Sequence, residues 1–473
     1  MTAATRHSRE RWAPSGAAAG VAVPIPDQAS EPGWLRVARR RAAAWVEAKG
    51  FPDTGHEDWR YTRMDAALAV PLASSTVAAV GDAQVPFSPD DLPGPYLGGA
   101  RFVVVNGRVV PGLSSPGNEL PSGVRVEALG DALRRLDGRL ERPWLWRAGG
   151  YPHALRALND AAALDGVVID LPLGTVVEEP IEVVLVSVPA GTPGWSHPRV
   201  VVLAGPGSSA TLVETYLDAP GGPTVTNALT QVDLGAGAEI EHYVLQAGTT
   251  SSFHFSSLEA RLANSSRLAS RLLATGGRIG RHEVDVVLAG KGAEVGLDGL
   301  FVTGSGQHHD NPVLVEHAAA SCTSRQLYKG VVSGDGHGVF NGHIVVRPGA
   351  DGTDAAQVNK NLLLSEQAEV DTRPRLEINA DDVACSHGAA VGQLDADALF
   401  YLRSRGIPES EARAVLISGF AREILERFGP SPVRQRAEQL ATAAGLIALD
   451  GRSLGDGALA PVATDSRRGG PAQ

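Results

Sequence analysis

The segments Leu234-Gly-Ala-Gly-Ala-Glu-Ile240, Leu288-Ala-Gly-Lys-Gly-Ala-Glu-Val295 and Leu364-Ser-Glu-Gln-Ala-Glu-Val370 repeat one pattern: small turn residues, then Ala-Glu, then Ile or Val. The shared alanines, Ala238, Ala293 and Ala368, stand 55 and 75 residues apart. These gaps read as two and three coils of about 25 to 28 residues, a spacing typical of stacked repeats. Leu203-Ala-Gly-Pro-Gly and Leu262-Ala-Asn-Ser-Ser fit roughly the same phase. From Gly166 to Leu394 the chain is a series of short Val, Leu and Ile-rich runs separated by small corner residues. A coil that cannot close its own core must bury it against its neighbours, so this region predicts a mainly β fold with a β-helix or flattened β-solenoid core over 166–394. A two-sheet sandwich is the competing architecture.

The flanks read differently. Residues 1–30 form an Ala, Gly and Pro-rich arm expected to lack structure, and 31–165 an N-terminal helical and mixed domain. Its first helix is expected over Pro32–Lys49, with Ser30 as cap, Leu35, Ala38, Ala42, Trp45 and Val46 on one stripe, and Gly50 and Pro52 as its stop. The dense stretch His56-Glu-Asp-Trp-Arg-Tyr-Thr62 follows, then a loop from Pro71 to Pro95 and a hairpin at Arg101–Val110 turning on Asn106-Gly107. Residues 395–449 form a C-terminal helical domain with helices at Asp395–Arg405 and Pro408–Phe428. The second carries Leu416, Phe420, Ile424 and Phe428 four apart on one face, with Glu409–Arg413 and Glu423–Arg427 as i,i+4 pairs. That face packs on the solenoid or docks another subunit. The tail 450–473 is small, polar and expected to be disordered.

Composition narrows the function classes. The 473 residues carry 42 Lys and Arg against 53 Asp and Glu, a net charge of −11, which disfavours phosphate backbones and anionic lipid as partners. No apolar run reaches the roughly 18 residues of a membrane span, and no secretory signal opens the chain, so a cytoplasmic location is expected. The two cysteines, Cys322 and Cys385, are then free thiols. Gly290-Lys291-Gly292 lacks the spacing and the Ser or Thr of a phosphate-binding loop, and no Gly-x-Ser-x-Gly elbow stands at a strand end. The chain is therefore not expected to be an enzyme, and ATP hydrolysis would fall to a partner.

Ten of the 13 histidines lie between His197 and His387. His308, His309, His317, His337 and His343 read as ordinary solenoid side chains. Cys385 and His387 differ, because residues two apart on a strand share a face, and a thiolate beside an imidazole suits one soft metal ion. They sit in Asp371-Thr-Arg-Pro-Arg-Leu-Glu-Ile-Asn-Ala-Asp-Asp-Val-Ala-Cys385-Ser-His387-Gly-Ala-Ala-Val-Gly-Gln-Leu394.

That block resembles the signature of the SufB/SufD family of iron-sulphur cluster assembly scaffolds. Glu57-Asp-Trp-Arg-Tyr-Thr62 resembles the family's N-terminal motif, Val339-Phe-Asn-Gly342 and Asn359-Lys-Asn-Leu-Leu-Leu364 its central coils, and Gly419 to Phe428 its last helix. Asn359 to Ser365 holds no cysteine, which favours the SufD branch over SufB. The resemblance implies a right-handed parallel β-helix between helical terminal domains, paired with a SufB-like paralogue through the β-helix. It implies SufC-like ABC-type ATPases on the C-terminal helices, with Leu416, Phe420, Ile424 and Phe428 as docking residues, and an indirect link to a sulphur donor. Cys385 and His387 match positions at the partner seam, where a transient iron-sulphur cluster is built with ligands shared between subunits. A rival reading is a carbohydrate-active β-helix enzyme using Asp371, Glu377, Asp381 and Asp382.

Overall fold

The computed structural model describes residues 22–446 apart from 27–30, 73–87, 89–91, 93–94, 116–119, 136–137, 145, 147–149 and 190–193. The expected cap Ser30, the tail 450–473, and most of the arm and of the 71–95 loop lie outside the described residues.

The fold is mainly β, a solenoid of two facing sheets rather than a sandwich with crossed connections. Successive strands alternate between the sheets. The first sheet stacks Ile181–Ser187, Ser209–Asp218, Glu239–Gly248, Arg267–Gly276, Glu294–Thr303, Thr323–Val332, Thr353–Leu363 and Val383–Gly392 in parallel. The second stacks Gly166–Leu171, Arg199–Ala204, Val225–Leu234, Phe253–Leu262, Ile279–Leu288, His308–His317, His337–Val346 and then Glu369–Thr372 with Arg375–Ile378. Strands from before residue 166 extend both sheets: Arg101–Val105 pairs parallel with Ile181–Ser187, and Arg125–Ala128 pairs antiparallel with Gly166–Leu171. The hairpin expected at Asn106-Gly107 is present, with φ of 46° and 81° at the two turn residues.

One corner explains the repeated motif. Where the chain passes from the second sheet to the first, a residue with φ between 54° and 72° recurs: Gly207, Gly237, Ser265, Gly292, Ser321 and Gly352. Each donates its backbone N–H to a carbonyl of the next coil, as Gly237 does to Asn264 and Gly292 to Ala320. The left-handed backbone favours glycine, and the following residue must be small because it is buried in the corner. Ser208, Ala238, Ser266, Ala293, Cys322 and Thr353 fill that place. Cys322 is thus a structural corner residue, its thiol donating to Gly290 O at 3.2 Å. Ala238 and Ala293 are two coils apart, as their spacing predicts. Ala368 is not in this series, since it leads into Glu369–Thr372 of the opposite sheet, and the coils run 26 to 33 residues by register.

Side chains alternate between the interior and the outer faces. The interior packs Val, Leu and Ile from both sheets with Phe301, Tyr328 and Phe340, and also buries His254, His282, His309 and His317. On the second sheet's outer face lie the helices Gly33–Lys49 and Ala154–Ala162. The first follows the expected stripe, with Leu35, Ala38, Ala42 and Val46 buried. The second is held by Asp160, which accepts from Arg156 at 2.8 Å and Arg199 at 2.5 Å, while Arg156 also reaches Glu259 at 2.7 Å.

On the first sheet's outer face lie Glu409–Leu425 and Ser431–Ala443, the latter a helix the sequence reading did not single out. Ile417, Ile424 and Phe428 pack against Tyr243, Leu273, Leu300 and Leu327. Glu423 does not pair with Arg427: it meets Lys329 at 2.5 Å, and Arg427 meets Asp298 at 2.8 Å. Arg436, fully buried, pairs with Glu182, which Arg101 also holds at 2.7 Å. No helix among the described residues is long and apolar enough to cross a membrane.

Candidate functional site

Among the described residues, the last coil ends the solenoid without a cap. Strand Val383–Gly392 pairs with Thr353–Leu363 on one side and with no described strand on the other. Nearly all of it is exposed, including Val391 at 45%. In register, Cys385 stacks over Ala355 and His387 over Gln357, both buried interior positions. Cys385 and His387 therefore stand on the interior face of the final coil, at the end of the stack. Their spacing predicts that they share a face, and the register shows that this face is the core-side one.

Below His387 the interior column is polar. Gln357 Nε2 donates to Gln326 Oε1 at 3.0 Å, while Gln357 Oε1 and Gln326 Nε2 are buried with no hydrogen-bond partner among the described residues. Cys385 packs beside Ile344, Val346, Ala350 and Ala355. Partial burial pushes its thiol pKa up, and the nearby Asp354 carboxylate pushes it further, so the isolated chain presents Cys385 as a thiol at neutral pH. Asp354 itself pairs with Arg325. Asp354→Asn is expected to lower the Cys385 pKa and speed its alkylation at pH 7.5 by about three- to tenfold. A pH–rate profile that coincides with the unsubstituted protein would show that Asp354 does not act on the thiol.

A second cluster lies on the outer face of the opposite sheet, where Glu57–Thr62 docks. Trp59 is buried, with the Arg281 guanidinium 3.9 Å from its ring centre. Thr62 Oγ1 donates to Asp310 at 2.5 Å, so the His308 Nε2 at 2.9 Å is the donor in their contact. Burial, followed by the charges of its neighbours, depresses the His308 pKa to about 3, and the ring stays neutral. Glu57 accepts from Arg373 at 2.6 Å and Arg375 at 3.0 Å. His337 Nε2 meets Asp371 at 2.8 Å, with the Tyr61 ring edge-on to its imidazole. The contacts of Glu57–Thr62 join residues more than 220 positions apart, which local pattern reading cannot find.

The histidines expected to be ordinary divide by strand parity. His309 and His317 are buried in the core, whereas the adjacent His308 and its ladder neighbour His337 face outward. The four carboxylates of the carbohydrate reading do not converge. Asp371 binds His337 and Glu377 lies 3.7 Å from His343, six strand positions or about 20 Å away, while Asp381 and Asp382 sit exposed in the turn before the last strand. Of the helix face expected to dock a partner, Ile424 and Phe428 are wholly buried against the solenoid, and Phe420 is partly so. The exposed apolar residues of this region are instead Phe400 at 72%, Tyr401 at 57% and Val415 at 54%.

Comparison with known families agrees with this architecture. Residues 188–420 match the SufBD core domain of the SUF system for FeS cluster assembly, and residues 27–183 match the SufBD protein N-terminal region. An uncapped two-sheet solenoid between helical flanks is here the framework of an iron-sulphur cluster assembly protein. The chain belongs to the SufBD family. It is 32% identical to the Escherichia coli iron-sulfur cluster assembly protein SufD over 391 residues, 82% of this chain and 88% of that protein. A SufBD family protein of Synechocystis is 28% identical over 85% of this chain and 89% of its own length. Bacillus subtilis SufD is 29% identical over 60% and 65% respectively.

Proposed function

We propose that this chain is a non-catalytic scaffold subunit that pairs through its open last coil with a SufB-like paralogue and gives Cys385 and His387 to a cluster-assembly site at the seam. The observation that carries the reading is the uncapped strand Val383–Gly392, whose unpaired backbone edge and exposed core face hold both residues. A solenoid end of this kind needs a cap, and a long uncharged edge strand left bare invites pairing with another chain. A related solenoid fits it best, because its own coils continue the stack. One thiolate and one imidazole fall short of the four ligands a cluster normally takes, so the cluster is transient cargo and the partner supplies the remaining ligands.

The C-terminal helices are the proposed seat of a SufC-like ABC-type ATPase. Ile424 and Phe428 anchor the helix to the solenoid, and Phe400, Tyr401 and Val415 offer the apolar contact. ATP hydrolysis belongs to that partner, sulphur reaches the seam indirectly, and the complex works in the cytoplasm.

Co-purification of the tagged chain from its own cells, with partners identified by mass spectrometry, tests the pairing. The unsubstituted chain should recover a SufB-like paralogue and an ABC-type ATPase. Val391→Lys should weaken the paralogue's binding at least about 100-fold, because it sets an unpaired charge in the seam. The isolated variant should melt as the unsubstituted chain does, since the position is exposed. Undiminished recovery of the paralogue by a folded Val391→Lys chain would remove this strand from the interface.

A further inference from the structure

The last coil carries a second group of metal-ligating side chains, on the sheet opposite Cys385 and His387. His337, Glu369 and Asp371 each offer one ligand atom, and these atoms lie within 4.8 Å of one another. The backbone makes this meeting obligatory. Glu369 is the direct register partner of His337, and Asp371, two residues on, shares the face of Glu369. The imidazole is fixed by the His308 ring, 4.8 Å away between centres, and by Tyr61 at 6.2 Å. Neighbouring cations are committed elsewhere: Arg373 and Arg375 to Glu57, and Arg281 to Asp310. Glu369 has no ion pair among the described residues. A cleft of about 90 Å³ adjoins the cluster, lined by Asp310, Asn341, Asp371 and Thr372 among others. Within it Asn341 Oδ1 and Thr372 Oγ1 are buried with no hydrogen-bond partner among the described residues.

We propose that His337, Glu369 and Asp371 bind one divalent first-row metal ion. One imidazole with two carboxylates suits ions of the Mn²⁺, Fe²⁺, Co²⁺ and Zn²⁺ series, whereas Ca²⁺ and Mg²⁺ favour all-oxygen shells and Cu⁺ favours sulphur. Three protein ligands leave at least one coordination position open toward the cleft, so the ion exchanges and takes water or a small anion as a further ligand. Binding replaces the hydrogen bond between His337 Nε2 and Asp371. The site uses neither Cys385 nor His387 and does not rest on the scaffold reading.

The test titrates the full-length, metal-free chain with Co²⁺, reading visible d–d absorption and, in parallel, calorimetric stoichiometry. One equivalent is expected to bind in the unsubstituted chain and in a Cys385→Ser, His387→Asn double variant. Glu369→Gln and Asp371→Asn should each weaken that equivalent at least about tenfold. Glu369 is exposed, so its variant keeps the fold, and a matching thermal melt checks this. Unchanged Co²⁺ affinity in both variants, or loss of the ion in the Cys385 and His387 double variant instead, would overturn the assignment and leave an ordinary His337–Asp371 ion pair.

Discussion

Acidification from pH 7 to pH 5 is expected to unfold the isolated chain. Burial depresses the pKa of His197 and His254 to about 3 and of His309 and His317 to about 4, and holds His282 well below its ordinary value. Each is neutral in the fold, and the folded pKa lies below the unfolded value near 6.5. The unfolded chain thus binds more protons as pH falls. The contribution is fully present above about pH 6.5 and is lost as pH drops toward the folded values. At pH 5 each imidazole with a depressed pKa costs about 2 kcal/mol, so these four cost about 8 kcal/mol, and His282 and His308 add to them. A domain's whole stability is about 5 to 15 kcal/mol. Buried Asp218 and Asp310, whose pKa values burial raises, work in the opposite sense. Urea unfolding at pH 7, 6 and 5 should show a steeply falling midpoint. A midpoint that stays level over this range would mean that the fold accepts these protons.

Cys385→Ala and His387→Ala are each expected to abolish cluster recovery on the complex reconstituted with its partners. His387 is exposed, and Cys385 is half-buried beside Ile344, Val346, Ala350 and Ala355, where alanine keeps the Cβ and loses only the sulphur. Folding and partner binding should persist. The chemical loss is large because the site has only two donors from this chain, and removal of a ligand weakens a metal centre by at least about 10- to 100-fold. Iron and sulphide content after reconstitution, set beside partner recovery, separates loss of the site from loss of the seam. Full cluster content in both variants would leave Cys385 and His387 as bystanders at the interface.

The solenoid was legible because its corners are chemically strict. Ala238 and Ala293 mark a place where only a small residue follows a left-handed turn, and that rule survives in one sequence without comparison. Ala368 misled the count because the same tripeptide suits the opposite corner. The pairing of Cys385 and His387 on one face follows from strand periodicity, but that this face is the core-side one depends on register with Ala355 and Gln357, which no local pattern encodes. The cluster at Glu369 was missed for the same reason. Glu369 stands in plain sight within the repeat, yet His337 becomes its neighbour only when the 31 residues between them close a coil. The helix face carrying Ile424 and Phe428 was read correctly as apolar, and its burial reflects the apolar outer column of Tyr243, Leu273, Leu300 and Leu327.

The two C-terminal helices double back along the stack. Arg413 and Glu423 touch the late coils at Leu364 and Lys360, Arg427 reaches the middle at Asp298, and Arg436 ends on Glu182 near the first. A bare repeat array unravels from its ends, one coil at a time, since each unit leans only on its neighbours. Here a brace ties early units to late ones, so fraying at the open end must also strip the helices from the sheet. From Ile181–Ser187 to Thr353–Leu363 the array therefore behaves as a stiffened beam, whose early and late coils come apart together rather than one at a time.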